Sequence, residues 1–367
     1  MLDKSLVNIP EKFRDHPLFN ELICGMNFGF MAKRGYYETP FALEQPALMQ
    51  KAGVNWTTVN MNFCQTHYFS RKSYLDFEFS TGEIELLEIV KLLHEHGVRV
   101  LFKPCLTPLD GAWMGDVRFP TDMKQIAGVD FSYWDEWFKS FTEGAKYFAS
   151  LATKIGADAL LIGAEYFGTE NKDAYWRKVI EEVRKYYDGP ISYEFTPSST
   201  KSYKLDWFDG LDFLSYSYYP AASPAPEGLV TTEMGSALAE AMPDRTMEQM
   251  KEFLAPQRDL VTELCERFDN KPLAFTEYGC RASHGCSMIP SNYLWDSHYD
   301  GKEQADYMEA SFRTFWDIPS WMGFFWWKWD ETQLRPHYHN DPNGEKGFTI
   351  QGKPAEEVMR RWMSKNK

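Results

Sequence analysis

The chain has 367 residues, of which 44% are hydrophobic and 25% charged, a composition typical of a folded globular domain. Its formal net charge of −14 disfavours nucleic acid and anionic membrane surfaces as partners, because both bind dense clusters of Lys and Arg. No apolar run reaches the roughly 18–20 residues of a transmembrane helix, and the polar start MLDKSLVNIPEKFRDHP lacks the apolar core of a signal peptide, so we expect a cytoplasmic protein.

Short β-branched or aromatic runs alternate with helical patterns along the whole chain. The predicted strands are 22–28, 55–60, 98–104, 157–163, 191–196, 211–218, 272–277 and 322–328. The clearest predicted helices are 83–96, 132–155, 171–187, 246–269, 302–317 and 353–364. No composition break or Gly/Ser linker divides them, so residues 1–367 are predicted to form one α/β domain, a (β/α)8 TIM barrel.

Long loops are predicted on the C-terminal face of this barrel, which is where barrel enzymes carry their chemistry. The longest, 219–245 and 278–301, follow the sixth and seventh strands. A doubly wound sheet is the rival fold, but the first strand is followed by FGFMAKRG and not by a glycine-rich GxGxxG turn. The barrel is therefore the preferred prediction.

The six cysteines are scattered and include no CxxC pair, which favours reduced thiols. Cys280 and Cys286 flank His284, but no second pair of ligands stands at zinc spacing, so we expect neither a metal nor an organic cofactor. The 13 Trp, 20 Tyr and 27 Phe suit a large core. They also suit a cleft that stacks flat apolar ligand faces, such as those of sugars.

Two glutamates stand at the ends of predicted apolar strands. Glu165 ends the fourth strand in LLIGAEYFG, and Glu277 ends the seventh in LAFTEYG. An ion pair with a nearby Lys or Arg is the structural explanation for each, because an unpaired carboxylate there is costly. Two carboxylates across a cleft are also what glycosidic bond cleavage needs, one as general acid and one as nucleophile or base. Glu277, before a tight turn, suits the nucleophile; Glu165 suits the proton donor, with Glu170 a weaker candidate.

Seven motifs are informative in combination: VLFKP (100–104), the stretch from EWFKSF to LLIGAE (136–165), WRKVIEEVR (176–184), WFDGLDFLSYSYYP (207–220), FTEYG (275–279), GFFWWKWD (323–330) and GFTIQGKPAEEVMRRW (347–362). Together they resemble glycoside hydrolases of clan A, and most of all the β-1,4-mannanases of family 113. The resemblance implies a carbohydrate substrate and a retaining mechanism with Glu165 as acid/base and Glu277 as nucleophile. It also implies that Trp327 is the platform under the −1 sugar, with Trp329 nearby.

Two positions depart from the pattern that this resemblance implies. Most of clan A has Asn before the acid/base, where it contacts the sugar 2-hydroxyl, and this chain has Ala164. The strand-three motif of the family continues Pro-His, whereas here it reads Pro104-Cys105. Both positions are expected beside the −1 sugar, so they leave the hydrolase class standing and the choice of sugar open.

Alternation along the strands predicts further substrate contacts. Tyr216 and Tyr218 share one face of the sixth strand, and Tyr218 is the better placed to donate to Glu277. Asn27 and Lys103 are polar residues in the first and third strands. Each is expected either to contact sugar hydroxyls or to make a hydrogen bond that closes the barrel.

Other aromatic and polar residues lie in the predicted loops. Trp113, in LDGAWMGD, is expected to stack on sugar further out in the cleft, whereas Phe325 is expected in the barrel core. Further walls of the cleft are expected from the loops that hold Trp295, His298, His337 and His339.

Two other functions stay open on the sequence alone. One is a clan A glycosidase of different specificity, for a β-glucoside or a β-xyloside. The other is a non-catalytic sugar-binding barrel, against which the presence of both glutamates speaks. A metal-dependent isomerase or aldolase barrel would need clustered His and Asp ligands at strand ends, and the predicted strands show none. The oligomeric state and endo or exo action are equally open.

Overall fold

The computed structural model describes residues 5–227, 240–294, 297–330 and 346–366. Its strands are β1 (Ile23–Phe28), β2 (Trp56–Gln65), β3 (Arg99–Pro108), β4 (Met123–Ile126), β5 (Val129–Ser132), β6 (Ala159–Ala164), β7 (Ile191–Phe195), β8 (Leu214–Ser217), β9 (Leu273–Tyr278) and β10 (Trp321–Trp326). Eight of them are parallel and close into a barrel in the order β1, β2, β3, β6, β7, β8, β9, β10. Strands β4 and β5 form a separate antiparallel hairpin. The predicted (β/α)8 barrel is confirmed.

Helices connect the strands and surround them. They are α1 (Pro17–Asn20), α2 (Pro40–Ala52), α3 (Glu83–Glu95), α4 (Tyr133–Ile155), α5 (Asp173–Val183), α6 (Pro197–Ser202), α7 (Met247–Leu254), α8 (Pro256–Arg267), α9 (Gly301–Phe315) and α10 (Pro354–Met363). Helix α4 begins where the Ser132 hydroxyl accepts the Asp135 amide and ends at Gly156 in the left-handed conformation, as its sequence predicts. None of the described helices is both long and apolar enough to cross a bilayer.

Several helices differ from the sequence prediction, among them the short helices α1 and α6, which were not predicted. The predicted helix 246–269 is two helices, because Pro256 has no N–H to continue the hydrogen bonding of α7, although Ala255 between them keeps helical backbone angles. Helix α2 was not predicted. Its apolar residues lie on both faces, with Met49 buried and Phe41 and Leu48 exposed, so it shows no helical periodicity.

Two groups of buried apolar side chains hold the barrel together. Most of the core lies between the strands and the helices, where aromatic rings pack face to face, as Trp176 and Trp207 do with centroids 4.8 Å apart. A second cluster fills the N-terminal end of the barrel, where Phe19 of α1 packs against Phe213 and where Phe325 lies. The N-terminal end is therefore closed by packed side chains, and chemistry is left to the C-terminal end.

Candidate active site

Three glutamates converge at the C-terminal mouth of the barrel. Glu165 directly follows β6, Glu194 lies in β7 and Glu277 lies near the end of β9. One carboxylate oxygen from each of the three lies within 4.8 Å of those from the other two. The side chain of Glu277 is 14% exposed and that of Glu194 is fully buried. The ends of three parallel strands thus bring Glu165 and Glu277 together across a small gap.

The backbone of Glu165 is held in an unusual conformation. Its φ is +59°, in the left-handed region that costs a residue with a Cβ about 1–2 kcal/mol. Its N–H donates to the carbonyl of Glu194 at 2.7 Å, and the next N–H, of Tyr166, donates to the Tyr193 hydroxyl at 2.7 Å. That hydroxyl donates to buried Glu170 at 2.9 Å. Glu170 therefore lies behind the site and does not compete for the role of proton donor.

The surroundings of Glu165 favour its protonated form. Burial raises the pKa of this carboxyl, and the nearby charge of Glu277 raises it further. Hydrogen bonds from the Ser217 hydroxyl and the Trp113 indole oppose these two effects, as does the ammonium of Lys103. The Trp113 indole nitrogen lies 3.0 Å from Oε2 of Glu165. A carboxyl with a raised pKa can hold the proton that a general acid must deliver.

Glu277 is held by two donors. The ammonium of Lys103 donates to its Oε1 at 2.6 Å, and the hydroxyl of Tyr219 donates to its Oε2 at 3.2 Å. Burial and the charge of Glu277 raise the pKa of Tyr219, so its phenol keeps the proton that it donates. Glu277 thus has the fixed position and the donors that an ionised nucleophile needs.

Lys103 also binds the third glutamate. Its Nζ donates to Oε1 and Oε2 of Glu194 at 2.7 and 2.9 Å. Burial raises the pKa of Glu194 above its usual range, and the ammonium of Lys103 opposes that rise only in part. Because both oxygens of Glu194 accept from the ammonium, neither carries a proton, and the pair is ionised.

Comparison with known proteins identifies the family to which the chain belongs. The sequence profile of Glycoside Hydrolase Family 113 matches residues 26–353. The chain belongs to this family. No protein with a curated function is similar enough to the chain to count as a relative.

Solved structures agree with the family. The β-mannanase AaManA of family 113 from Alicyclobacillus acidocaldarius, in complex with ManMIm, matches with a TM-score of 0.76 and 24% identity over 95% of this chain and 99% of that one. A second family 113 β-1,4-mannanase matches with a TM-score of 0.75 and 25% identity over 94% and 99%. A Ruminococcus gnavus β-glucuronidase, with a TM-score of 0.55 and 15% identity over 93% of this chain and 50% of that one, shares the fold alone.

The two tyrosines predicted at the sixth barrel strand do not reach this family 113 site. Tyr216 and Tyr218 stack on each other, with centroids 4.6 Å apart, in the core between strands and helices. The hydroxyl of Tyr218 donates to Gln257 of α8. The prediction that Tyr218 donates to Glu277 is wrong, because the other face of β8, which carries Ser217, points into the barrel. The donor to Glu277 is Tyr219, the second residue beyond Ser217.

The two tryptophans after β10 have different positions. Trp327 is half-buried at the site, with its ring 4.5 Å from that of Phe30 and 5.8 Å from Nζ of Lys103. Trp329 is 1% exposed, and its indole donates to Gln45 of α2 at 2.9 Å. The structure therefore brings Trp327 to the site and buries Trp329 in the core. Strand alternation fails between them because β10 ends at Trp326.

The remaining predicted contacts divide in the same way. Asn27 is fully buried, and its Nδ2 donates to the carbonyls of Thr276 and Phe325. It therefore makes hydrogen bonds that close the barrel, which was the alternative to a contact with sugar hydroxyls. Lys103 lies at the site but binds glutamates, as described above. Trp113 is 42% exposed and also contacts Glu165, which places it nearer the reacting groups than an outer stacking residue.

The predicted outer walls lie mostly outside the described residues. Trp295, His337 and His339 are among the residues that the structure does not describe. His298 is described; its side chain is 56% exposed, and its ring stacks on that of His284 at 4.7 Å.

Two groups of side chains in the described part of the chain have the spacing of metal ligands. One is Glu165, Glu194 and Glu277, and the other is His284, His298 and Asp300. In the first group the ammonium of Lys103 binds two of the three carboxylates and supplies the positive charge that a cation would supply. In the second, Nε2 of His284 bonds to the carbonyl of Met242, and Nδ1 of His298 bonds to Glu240.

Sequence reasoning did not single out Glu194 or Tyr219. Glu194 lies in the predicted strand ISYEFT, where a lone acid among apolar residues was a usable indication that it is paired or used. Tyr219 follows directly on Tyr218, and only the face of β8 that points inward decides between the two. Residue types alone do not show which face of the strand points into the barrel.

Proposed function

We propose that this glycoside hydrolase is a retaining β-1,4-mannanase in which Glu165 is the acid/base and Glu277 the nucleophile. The observation that carries the proposal is the approach of their carboxylate oxygens to within 4.8 Å. Retaining glycosidases hold their two carboxyl groups about 5–5.5 Å apart, whereas inverting enzymes leave about 6.5–9.5 Å for a water molecule. Nearest oxygens within 4.8 Å of each other leave less room for a water molecule than an inverting enzyme needs, which favours direct attack by one carboxylate.

The first step follows from the surroundings of each group. Glu277 attacks the anomeric carbon while Glu165 gives its proton to the leaving oxygen. The raised pKa of Glu165 favours the form that carries the proton to be delivered, and the donors Lys103 and Tyr219 hold the two carboxylate oxygens of Glu277 in place. The product is a glycosyl ester of Glu277, and the departing sugar carries the proton.

The second step uses the same groups in reverse. Once Glu277 is an ester, its negative charge is lost, and one cause of the raised pKa of Glu165 disappears. Glu165 can then take a proton from water, which attacks the anomeric carbon and frees Glu277. The configuration at this carbon is inverted twice and so retained.

The choice of mannan rests on similarity. The family 113 structures that match the chain are those of β-mannanases, and the ring of Trp327 lies beside Lys103, where it offers an aromatic surface to a sugar. Ala164 and Cys105 stand where the resemblance implies Asn and His, and both are buried, with the thiol of Cys105 3.6 Å from Asn60. These two positions make the sugar the part of the proposal to test first.

The experiment incubates the purified protein with matched β-1,4-linked manno-, gluco- and xylo-oligosaccharides and follows the products by chromatography. We expect cleavage of the manno series, with the β-anomer appearing first by NMR. Glu277→Gln, which keeps the shape of the side chain, should abolish cleavage.

Each other outcome changes a defined part of the proposal. Cleavage of only the gluco or xylo series would overturn the mannan assignment and keep the mechanism. Initial release of the α-anomer would overturn retention, and full activity of Glu277→Gln would overturn its role. If no series is cleaved, a calorimetric titration with the same sugars would show whether the cleft only binds them, and the proposed hydrolysis would fall.

A further inference from the structure

We propose that Glu194 is a positioning residue for this reaction, which acts through Lys103 by balancing the charge of the ammonium both before and after Glu277 reacts. The inference rests on the proposed function and adds a third carboxylate to it. Neither of the two chemical steps requires a third carboxylate, yet the structure places one within 4.8 Å of the reacting pair.

Each of the three protons of the Lys103 ammonium has a carboxylate oxygen as its acceptor. Lys103 is 1% exposed, and its Nζ has three donors. Two of them point to the oxygens of Glu194, at 2.7 and 2.9 Å, and one to Oε1 of Glu277, at 2.6 Å. Glu194 is fully buried in β7, on the far side of β6 from β3, so it reaches Lys103 across the barrel interior. Lys103 is thus shared between a carboxylate that reacts and one that does not.

Glu194 then balances the ammonium of Lys103 both before and after the attack. Before attack, Lys103, Glu194 and Glu277 carry one net negative charge among them, so the nucleophile is not neutralised by its own donor. Attack forms a bond between Glu277 and the anomeric carbon, breaks the bond to the leaving oxygen and moves the proton of Glu165 onto that oxygen. Glu277 is then uncharged, and Lys103 and Glu194 remain as a neutral pair.

Without Glu194 the same step would be disfavoured. Lys103 would pair with Glu277 alone, and ester formation would leave a buried ammonium with no counter-ion, which is strongly unfavourable. The cost would fall on the intermediate and on the transition state before it. A structural ion pair elsewhere in the barrel would have no such connection to the reaction.

Glu194 also belongs to the charges that set the protonation of Glu165. The groups that interact with Glu165 from the elements around it are Lys103 and Cys105 of β3, Trp113 of the following loop, Glu170 after β6, Glu194 of β7, Ser217 and Tyr219 at β8, and Glu277 of β9. Removal of one negative charge from this set lowers the pKa of Glu165. The alkaline limb of the activity profile, where the acid loses its proton, should then move to lower pH.

The test compares Glu194→Gln with the wild type in two measurements, made on the β-glycoside that the wild type cleaves fastest. The first is the rate of covalent labelling by the matching 2-deoxy-2-fluoro glycosyl fluoride, followed by mass spectrometry, which isolates attack by Glu277. The second is the pH profile of kcat/KM. We expect labelling to slow by at least about tenfold and the alkaline limb to move down by roughly one pH unit.

Two further variants separate charge from structure. Asp212→Asn is the matched control, because Asp212 is a 6%-exposed carboxylate paired with Arg184 at the opposite end of the barrel. It should lower stability and leave the labelling rate and alkaline limb unchanged. Glu194→Asp keeps the charge on a shorter side chain, so its alkaline limb should stay near that of the wild type even if its rate falls.

The outcomes distinguish this inference from the proposed function. An unchanged labelling rate and limb in Glu194→Gln would overturn it, as would an equal loss in Asp212→Asn. If Glu194→Gln does not fold, Glu194→Asp still decides, because a limb displaced to lower pH in that variant contradicts a role for charge. A wild type that is neither labelled nor active on any β-glycoside would instead remove the proposed function.

Discussion

The surroundings of each glutamate at the site determine which chemical role it can take. Glu165 is half-buried and lies near the negative charge of Glu277, whereas Glu277 accepts from the ammonium of Lys103 and the phenol of Tyr219. The sequence located both glutamates because each ends an apolar strand at the face where barrel strands converge. It could not locate Glu194 or Tyr219, because their roles depend on which strand face turns inward.

Replacement of Glu165 by Ala should affect substrates according to their leaving groups. A general acid contributes about 10²–10⁴-fold when the leaving group needs a proton, and little when it does not. We therefore expect Glu165→Ala to lose about that factor in kcat/KM on oligosaccharides and much less on an aryl glycoside with an activated leaving group. Steady-state kinetics on the two substrates measure the difference. Equal losses on both would contradict the role of Glu165 as acid.

The neighbouring tyrosines offer a matched pair. Tyr219→Phe removes a hydrogen bond to an ionised carboxylate, worth about 1.5–3 kcal/mol, so kcat/KM should fall by about tenfold to a hundredfold. Tyr218→Phe removes only the bond to Gln257 and should leave kcat/KM within about twofold of the wild type, with a loss of stability of about 1 kcal/mol. Kinetics and thermal unfolding of both variants test this. The reverse order of activities would show that Tyr218 is the donor after all.

Among the elements, the strands agree with the sequence better than the helices do. All eight barrel strands were predicted within a few residues, because each is a short apolar run bounded by turn residues. Helix α2 was missed because its apolar residues lie on two faces, and only the Thr39-Pro40 start and Gly53 stop mark it. Helix α2 is held by its packing against α3 and α10, and hydrophobic periodicity along the sequence does not reveal such tertiary contacts.

The end of α2 gives a test of how closely that helix packs. Gly53 has a φ of +82°, and a Cβ on it would lie 2.9 Å from Cα of Arg360 in α10. Gly97, after α3, has a φ of +72° with no atom within 4 Å of its would-be Cβ. Gly97→Ala should therefore lower the free energy of unfolding by about 1–2 kcal/mol, for the backbone alone, and Gly53→Ala by more. Denaturant unfolding measures both. Equal losses of stability in the two variants would mean that α10 moves away from a Cβ at residue 53 without a cost in free energy.

The molecule as a whole separates stability from chemistry along the barrel axis. The N-terminal end is packed with apolar side chains from β1, β2, β3, β6, β9 and β10 and from α1. The C-terminal mouth holds Lys103 with the three glutamates and a half-buried Trp327. This division explains why the fold class and the reacting pair could be predicted together from the sequence, since each glutamate ends an apolar strand of the barrel.

Two residues near the C-terminal end of β10 test that separation. Phe325 is fully buried in the N-terminal cluster, where its ring packs against Trp56, and Trp327, two residues later, lies at the site. Phe325→Ala should lower the free energy of unfolding by about 3–5 kcal/mol, because it leaves a cavity in a packed core, and spare the pH profile of the folded fraction. Trp327→Ala should raise KM and lower kcat while costing less stability, since its ring is partly exposed. Calorimetry and kinetics on both variants decide. A Phe325→Ala protein with a displaced pH profile would mean that the core end and the catalytic end are coupled, and that the barrel does not separate the two tasks.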